Sequence, residues 1–221
     1  METEVKLAFD DPSSLSSIVT TDWFSTYCMD SSEKEPETLD NSYFDTADRK
    51  LSSRGATIRV RHYKDCEDDE CYEHTVKYGG NVENGLHQRY EWNVRTDKSK
   101  FSISEFIRLA TNQDDPNELL KEVLEGINDD EIVKLCSTVF ERTTYTVGYG
   151  DSMMEACLDV GKIESNNESE DICELELELT SGDVVDLKDF ATFIVEQTDA
   201  KFFNDSKFRR ALKLLDKNKE A

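Results

Sequence analysis

The chain opens Met1-Glu2-Thr3-Glu4-Val5-Lys6-Leu7-Ala8-Phe9. Glu2, Glu4 and Lys6 occupy alternate positions, with Val5, Leu7 and Phe9 between them. Successive side chains of a strand point to opposite faces, so this alternation predicts a β-strand with one charged and one apolar face. Whether the charged face meets water or something held inside the protein decides the fold.

Further along, the same alternation recurs. Within Ala56–Tyr63, Arg59 and Arg61 share a face opposite Ile58 and Val60; within Tyr72–Gly79, Glu73, Thr75 and Lys77 share one. Leu86–Val94 sets Arg89 and Glu91 opposite Tyr90 and Trp92, and Ser137–Tyr149 carries Arg142 and Thr144 alternating with Thr143 and Tyr145. Ser152–Ile163 carries Glu155 and Asp159, and Ile172–Thr180 lines up Glu174, Glu176 and Glu178 against Cys173, Leu175, Leu177 and Leu179. With a short strand at Asn41–Thr46 these make eight predicted strands joined mostly by short turns, a pattern of barrels and sandwiches. About eight antiparallel strands close into a barrel that is filled by side chains or holds one small ligand.

Helical patterns fill the gaps. Asp11-Pro12 supplies an N-cap and a first-turn proline for a helix to about Tyr27, and Met29–Asp40 reads as a loop. Ser102 with Glu105 has capping-box spacing, followed by helices over Asp115–Ile127 and Asp129–Cys136. The tail holds two amphipathic helices, Asp186–Gln197 and Ser206–Leu215. No internal repeat or long linker divides the chain, so residues 1–221 are expected to form a single domain of β-rich α+β class, an eight-stranded antiparallel barrel with flanking helices.

The 49 acidic against 26 basic residues, net −23, speak against a general binder of nucleic acid or anionic membranes, though not against a small basic site. No apolar run approaches the roughly 18 residues of a membrane span. The strand pattern begins without a leader-like segment, and the six cysteines and three histidines lack zinc-site spacing, so a reducing cytoplasm is the expected compartment. Cys66 and Cys71 bracket Glu67-Asp68-Asp69-Glu70, expected to be a solvated hairpin tip with free thiols rather than a metal loop.

On any one strand the charged face reads as an ordinary solvent face. Together they are less ordinary: Arg and Lys recur in pairs on some strands, and Glu in pairs or triplets on others. Arginine suits a bidentate grip on phosphate oxygens. Glu2, Glu4, Glu174 and Glu176 offer hard oxygen ligands for Mg²⁺ or Mn²⁺. The reading is a barrel with charge within and apolar faces against helices, tolerable only if the charges are paired or bound to ligands.

Taken in order, Glu2-x-Glu4-x-Lys6, Tyr43-Phe44-Asp45-Thr46, the run Leu51–Arg61, His74–Lys77, Gln88–Trp92, Glu174–Leu179 and Ser206–Arg210 resemble the CYTH superfamily, the triphosphate tunnel metalloenzymes. The resemblance implies a tunnel that binds a triphosphate and hydrolyses its terminal phosphoanhydride with a divalent metal. By motif, Glu2, Glu4, Glu174 and Glu176 would hold Mg²⁺ or Mn²⁺, with Glu178 competing for a place in that set. Lys6, Arg59, Arg61, Lys77, Arg89, Arg142 and Lys207 would contact phosphates, Glu91 and Asp159 would support them, and Arg209 or Arg210 would add a tail contact. The expected substrate is inorganic tripolyphosphate. Alternatives on the same fold are thiamine triphosphate, nucleoside or RNA 5′-triphosphates and adenylate cyclisation, for which Tyr43, Phe44 and Tyr63 are the candidate aromatic contacts; no nucleic acid or membrane partner is expected. A non-catalytic polyphosphate binder would not need four metal-ligand carboxylates, and a lipocalin-like barrel would not have a charged interior.

Overall fold

The computed structural model describes residues 1–29, 34–110, 115–165 and 167–217. Its strands are β1 (Glu2–Ala8), β2 (Glu37–Thr46), β3 (Ala56–Tyr63), β4 (Tyr72–Glu83), β5 (Leu86–Thr96), β6 (Ile132–Tyr149), β7 (Ser152–Ser165), β8 (Glu168–Ser181) and the short β9 (Lys201–Phe202). Its helices are α1 (Pro12–Ser17), α2 (Asp22–Tyr27), α3 (Lys50–Ser53), α4 (Ile103–Leu109), α5 (Asn117–Leu124), α6 (Val184–Gln197) and α7 (Lys207–Lys217).

Strands β5-β4-β3-β2-β6-β7-β8-β1 pair in that order, and β1 pairs again with β5, closing a ring of antiparallel strands. The opening stretch makes the closure. Glu2–Val5 pair with Leu86–Arg89 of β5, while Glu4–Ala8 pair with Glu174–Glu178 of β8. The ring thereby leaves few free strand edges. Between β4 and β5, Asn84 and Gly85 both adopt positive φ (50° and 77°), as a tight two-residue hairpin requires. Gly85 also approaches β1 closely: its carbonyl accepts from the Lys6 N–H at 2.9 Å, and a Cβ there would lie 2.8 Å from the Lys6 carbonyl.

The apolar faces turn outward onto helices. Val5, Leu7, Leu175 and Leu177 pack with Leu15, Phe24, Leu187, Phe190 and Ile194 from α1, α2 and α6. Ile58, Val60, Val76 and Trp92 pack with Leu51, Phe106, Leu120 and Val123 from α3, α4 and α5. Each such side chain contributes about 1.5–3 kcal/mol by leaving water. In a third cluster Phe208, Ala211 and Leu214 of α7 meet Leu39, Tyr43, Phe140, Ile163 and Ile172. Those ring positions share the inward parity of Asn41, Arg142 and Glu174, so the interior is charged over one part and apolar where α7 docks.

Several local expectations change. The helix after Asp11 breaks at Thr21, whose side chain caps α2. Asp11 caps α1 as expected. The loop expected over Met29–Asp40 already becomes strand at Glu37, because Glu37–Asp40 pair with β6; residues 30–33 lie outside the described residues. Asp129–Cys136 is not a helix: a 3-10 turn over Asp129–Glu131 leads into β6, whose Ile132, Val133 and Lys134 complete the ladder with the end of β2. Ser102 caps α4 without a side-chain bond, and the Glu105 carboxylate pairs with Lys98 rather than reaching back to the Ser102 N–H. Cys66 and Cys71 are joined in a disulfide across the acidic tip rather than free.

Candidate active site

Inside the ring lies a cavity of about 250 Å³. Among the residues singled out in the sequence, Glu2, Glu4, Lys6, Arg59, Arg61, Lys77, Arg89, Glu91, Arg142, Glu176 and Lys207 line it. They come from β1, β3, β4, β5, β6, β8 and the first turn of α7, and period-two alternation turns each strand's charged face inward.

The charges are interleaved. Arg89 donates from Nε to Glu2 (2.7 Å) and from Nη2 to Glu4. Lys77 reaches Glu2 and Glu91, both at 2.8 Å. Lys6 lies 3.1 Å from Glu4 and donates to Glu176. Arg142 grips Asp159 through two bonds of 2.7 and 2.6 Å, and also reaches Glu176. Lys207 donates to Asp159 at 2.7 Å and to Glu174 and Glu176 at 2.8 Å. Arg59 donates through Nη2 to Glu73 (2.9 Å) and Thr75 (2.8 Å), while its buried Nε has no partner among the described residues.

Electrostatics divide the cavity. Burial alone would raise Glu176, but Lys207, Lys6 and Arg142 hold its carboxyl well below the usual range. Burial likewise opposes ionisation of Glu2, which Lys77 and Arg89 nonetheless keep well below its ordinary value. Glu91 is pushed up by burial, which the nearby Lys77 only partly offsets and the adjoining Glu2 reinforces. Burial, with Glu2, Glu4 and Glu91 adding to it and Lys77 opposing, lifts Glu178 to about 7. Arg61 goes the other way for a cation: burial and the neighbouring Arg59 and Arg142 lower it. One part of the wall thus holds crowded carboxylates and another crowded guanidinium groups.

Two expected site residues do not line the cavity. Asp159 and Glu174, both 0% exposed, lie behind it and hold Lys207. Glu174 is further engaged by Arg210, whereas Arg209 pairs with Asp205 at the exposed surface. The Glu-rich strand instead presents Glu176 and Glu178 to the cavity. Tyr43 lines the wall, stacked on Phe208 at 5.3 Å between ring centroids, whereas Phe44 packs in the outer core with Ile58 and Trp92. Tyr63 lies under Arg95, 4.0 Å from the guanidinium carbon to the ring centroid, and donates to Glu73.

Cavity residues given no site role from the sequence include Thr57, Asn93 and two that alternation already places on charged faces, Glu73 and Glu155. All four fall on the inward parity, so alternation was the available signal. Phe140 shares that parity through Arg142, whereas Ser206 and Phe208 required knowing where α7 docks. The carboxylates are the hard oxygen donors that Mg²⁺ or Mn²⁺ takes, yet among the described residues no three lie together as a ready cation cage.

The family profile of the CYTH domain matches residues 1–212. The chain belongs to the CYTH family. A curated relative, the inorganic triphosphatase of Haemophilus influenzae, is 30% identical over 173 residues. That match spans 78% of this chain and 44% of the relative, less than half its length. Among solved structures, a Hippeastrum protein proposed as an adenylyl cyclase and described as revealing a dominant triphosphatase activity superposes with a TM-score of 0.63 at 18% identity, covering 94% of this chain and 93% of that one. A Bacillus halodurans protein proposed as an adenylate cyclase superposes with a TM-score of 0.55 at 15% identity, over 95% and 98%. At those identities the two structures establish the CYTH fold alone. Among the described residues no helix is long and apolar enough to cross a membrane.

Proposed function

We propose that this CYTH protein hydrolyses the terminal phosphoanhydride of a small triphosphate, inorganic tripolyphosphate, with a divalent metal. The observation that carries the reading is the divided wall: Arg59, Arg61, Arg142 and Lys207 on one part, Glu2, Glu4 and Glu178 on another, around a cavity of about 250 Å³. That is below the roughly 300–1,000 Å³ of pockets for drug-sized ligands, which favours a compact inorganic anion over a nucleotide held whole. The relative named an inorganic triphosphatase supports the same substrate class.

The donor set suits a divalent cation. Among the described residues Glu178 has no ion pair with a basic group; burial and its carboxylate neighbours Glu2, Glu4 and Glu91 oppose its charge more than Lys77 favours it, the environment a cation relieves. Glu2, Glu4, Glu176 and Glu178 would hold Mg²⁺ or Mn²⁺, in place of the expected set containing Glu174. When bound, the metal would supply charge neutralisation on phosphate oxygens and acidify a water. The remaining work belongs to the chain. Arg59 offers a buried unpaired N–H to a phosphate oxygen, Arg61 and Arg142 flank it, and Lys207 comes in from α7. Fixed cations around a transferring phosphoryl group stabilise its charge without reorganisation. Glu174 and Asp159 position Lys207, and no covalent nucleophile is assigned.

The test is phosphate release from tripolyphosphate, ATP, thiamine triphosphate and pyrophosphate with Mg²⁺ or Mn²⁺, for the wild type and Glu4→Ala. Metal-dependent release from tripolyphosphate is expected to dominate, falling about 10²–10³-fold in the variant, as when one preorganised electrostatic group is lost from a site. Release confined to ATP or thiamine triphosphate would move the substrate. Tight tripolyphosphate binding without release from any compound would overturn the enzymatic reading.

A further inference from the structure

Among the described residues, six of the seven cations lining the cavity have a carboxylate oxygen within hydrogen-bond distance or close to it: Lys6, Arg59, Lys77, Arg89, Arg142 and Lys207. Arg61 differs. Its nearest recorded carboxylate oxygen, on Glu73, is 3.9 Å away and is already engaged by Arg59 at 2.9 Å. What holds Arg61 is neutral: its Nε donates to Asn41 Oδ1 at 2.8 Å. Asn41 is 0% exposed, and its Nδ2 donates to Thr138 Oγ1 at 3.1 Å, on a threonine that is also 0% exposed. The three residues form one row across the ring, Asn41 facing Arg61 on β3 and Thr138 on β6.

An amide is an unusual choice there. Arg61 is buried between Arg59 and Arg142, and a carboxylate in place of Asn41 would relieve that repulsion. Using a neutral acceptor fixes the direction of the guanidinium while leaving its charge only the distant Glu73 oxygen that Arg59 already engages. We propose that Asn41 is a positioning residue that aims Arg61 into the cavity and keeps its charge free for the phosphate oxygens of the substrate. The proposal rests on the triphosphate reading of this site and adds to it a residue outside the charged motifs.

Asn41→Asp separates this role from a merely structural one. The substitution is nearly isosteric and keeps the acceptor for Arg61, and the Thr138 hydroxyl can turn to donate to the new carboxylate. Tripolyphosphate titrations by calorimetry without metal, and steady-state hydrolysis with metal, would be run on the wild type, Asn41→Asp, Arg61→Gln and the double variant. Asn41→Asp is expected to weaken tripolyphosphate binding and raise KM at least tenfold, with kcat changed less than threefold and the melting temperature not lowered. In the Arg61→Gln background the same substitution is expected to change binding less than twofold, because the charge it neutralises is gone. An Asn41→Asp protein that binds as the wild type does would overturn the proposal while leaving the triphosphate reading standing, and so would an equal loss of binding in both backgrounds. A wild type that neither binds nor hydrolyses tripolyphosphate would overturn both. Should Asn41→Asp not fold, Asn41→Ser, too short to reach Arg61, is expected to raise KM similarly; unchanged KM there would also refute the role.

Discussion

Glu178 is where a single residue's environment is most informative. It faces the cavity with Glu2, Glu4 and Glu91 near it and, among the described residues, no ion pair to a basic group. Its folded value of about 7 lies above the ordinary 4.5, so between those values the native state holds a proton that the unfolded chain releases. Stability from this group is therefore greatest at low pH and is lost as pH rises through about 7. In metal-free buffer Glu178→Gln is expected to melt higher than the wild type at pH 7.5, on the order of 2–4 °C, with the difference gone near pH 4. Scanning calorimetry at both values checks it; equal melting temperatures at pH 7.5 would mean that Glu178 is charged at no cost. Adding Mg²⁺ or Mn²⁺ at pH 7.5 is expected to stabilise the wild type more than the variant. Alternation along Glu174–Leu179 was enough to put three glutamates on one face. It could not say that α7 would take Glu174 away from the cavity.

At the scale of elements, α7 joins the interior to the outside. Its first turn carries Lys207 into the carboxylates, its apolar face fills the ring beside Phe140, and Arg210 ties it to β8 through Glu170, Glu174 and the Asp171 carbonyl. Arg210 and Glu174 are nearly inaccessible, so removing the cation strands a buried carboxylate with Lys207 as its remaining basic partner. Arg210→Ala is expected to cost about 3 kcal/mol, within the range for breaking a buried ion pair, and to lower phosphate release as Lys207 loses its place. Urea unfolding followed by tryptophan fluorescence measures the first effect, and a variant as stable as the wild type would show that α7 is held by its apolar face alone. The β4–β5 hairpin makes a second case. Gly85→Ala would put a methyl against the Lys6 carbonyl at a left-handed position, and a loss of about 1–3 kcal/mol is expected by the same unfolding measurement. The contact of Gly85 with β1 depends on a ring closure between segments far apart in the chain.

Over the whole molecule, a net charge of −23 surrounds a cavity with a cluster of arginines. The exterior repels the anion that the interior is suited to hold, and the two fields respond differently to salt. Raising ionic strength from 10 to 100 mM shortens the screening length from about 30 to about 10 Å, which weakens long-range repulsion more than contacts inside the ring. The association rate of tripolyphosphate, measured by stopped flow, is therefore expected to rise severalfold over that interval; a steady fall would mean that the arginine cluster dominates the field at the entrance. The sequence by itself determined that the strands are two-faced, that their charged faces carry arginines and lysines on some strands and recurring glutamates on others, and that amphipathic helices were at hand to cover the apolar faces. Those are local properties, because strand alternation places each side chain relative to its immediate neighbours. Only the tertiary structure decided that Glu178 rather than Glu174 faces the cavity, that Asn41 holds Arg61, and that α7 fills part of the interior. It also turned the expected helix over Asp129–Cys136 into the start of β6 and joined Cys66 to Cys71. Each of these depends on which distant strand or helix comes to lie alongside. Ring closure and burial set that choice through the whole chain, and no stretch of local periodicity encodes it.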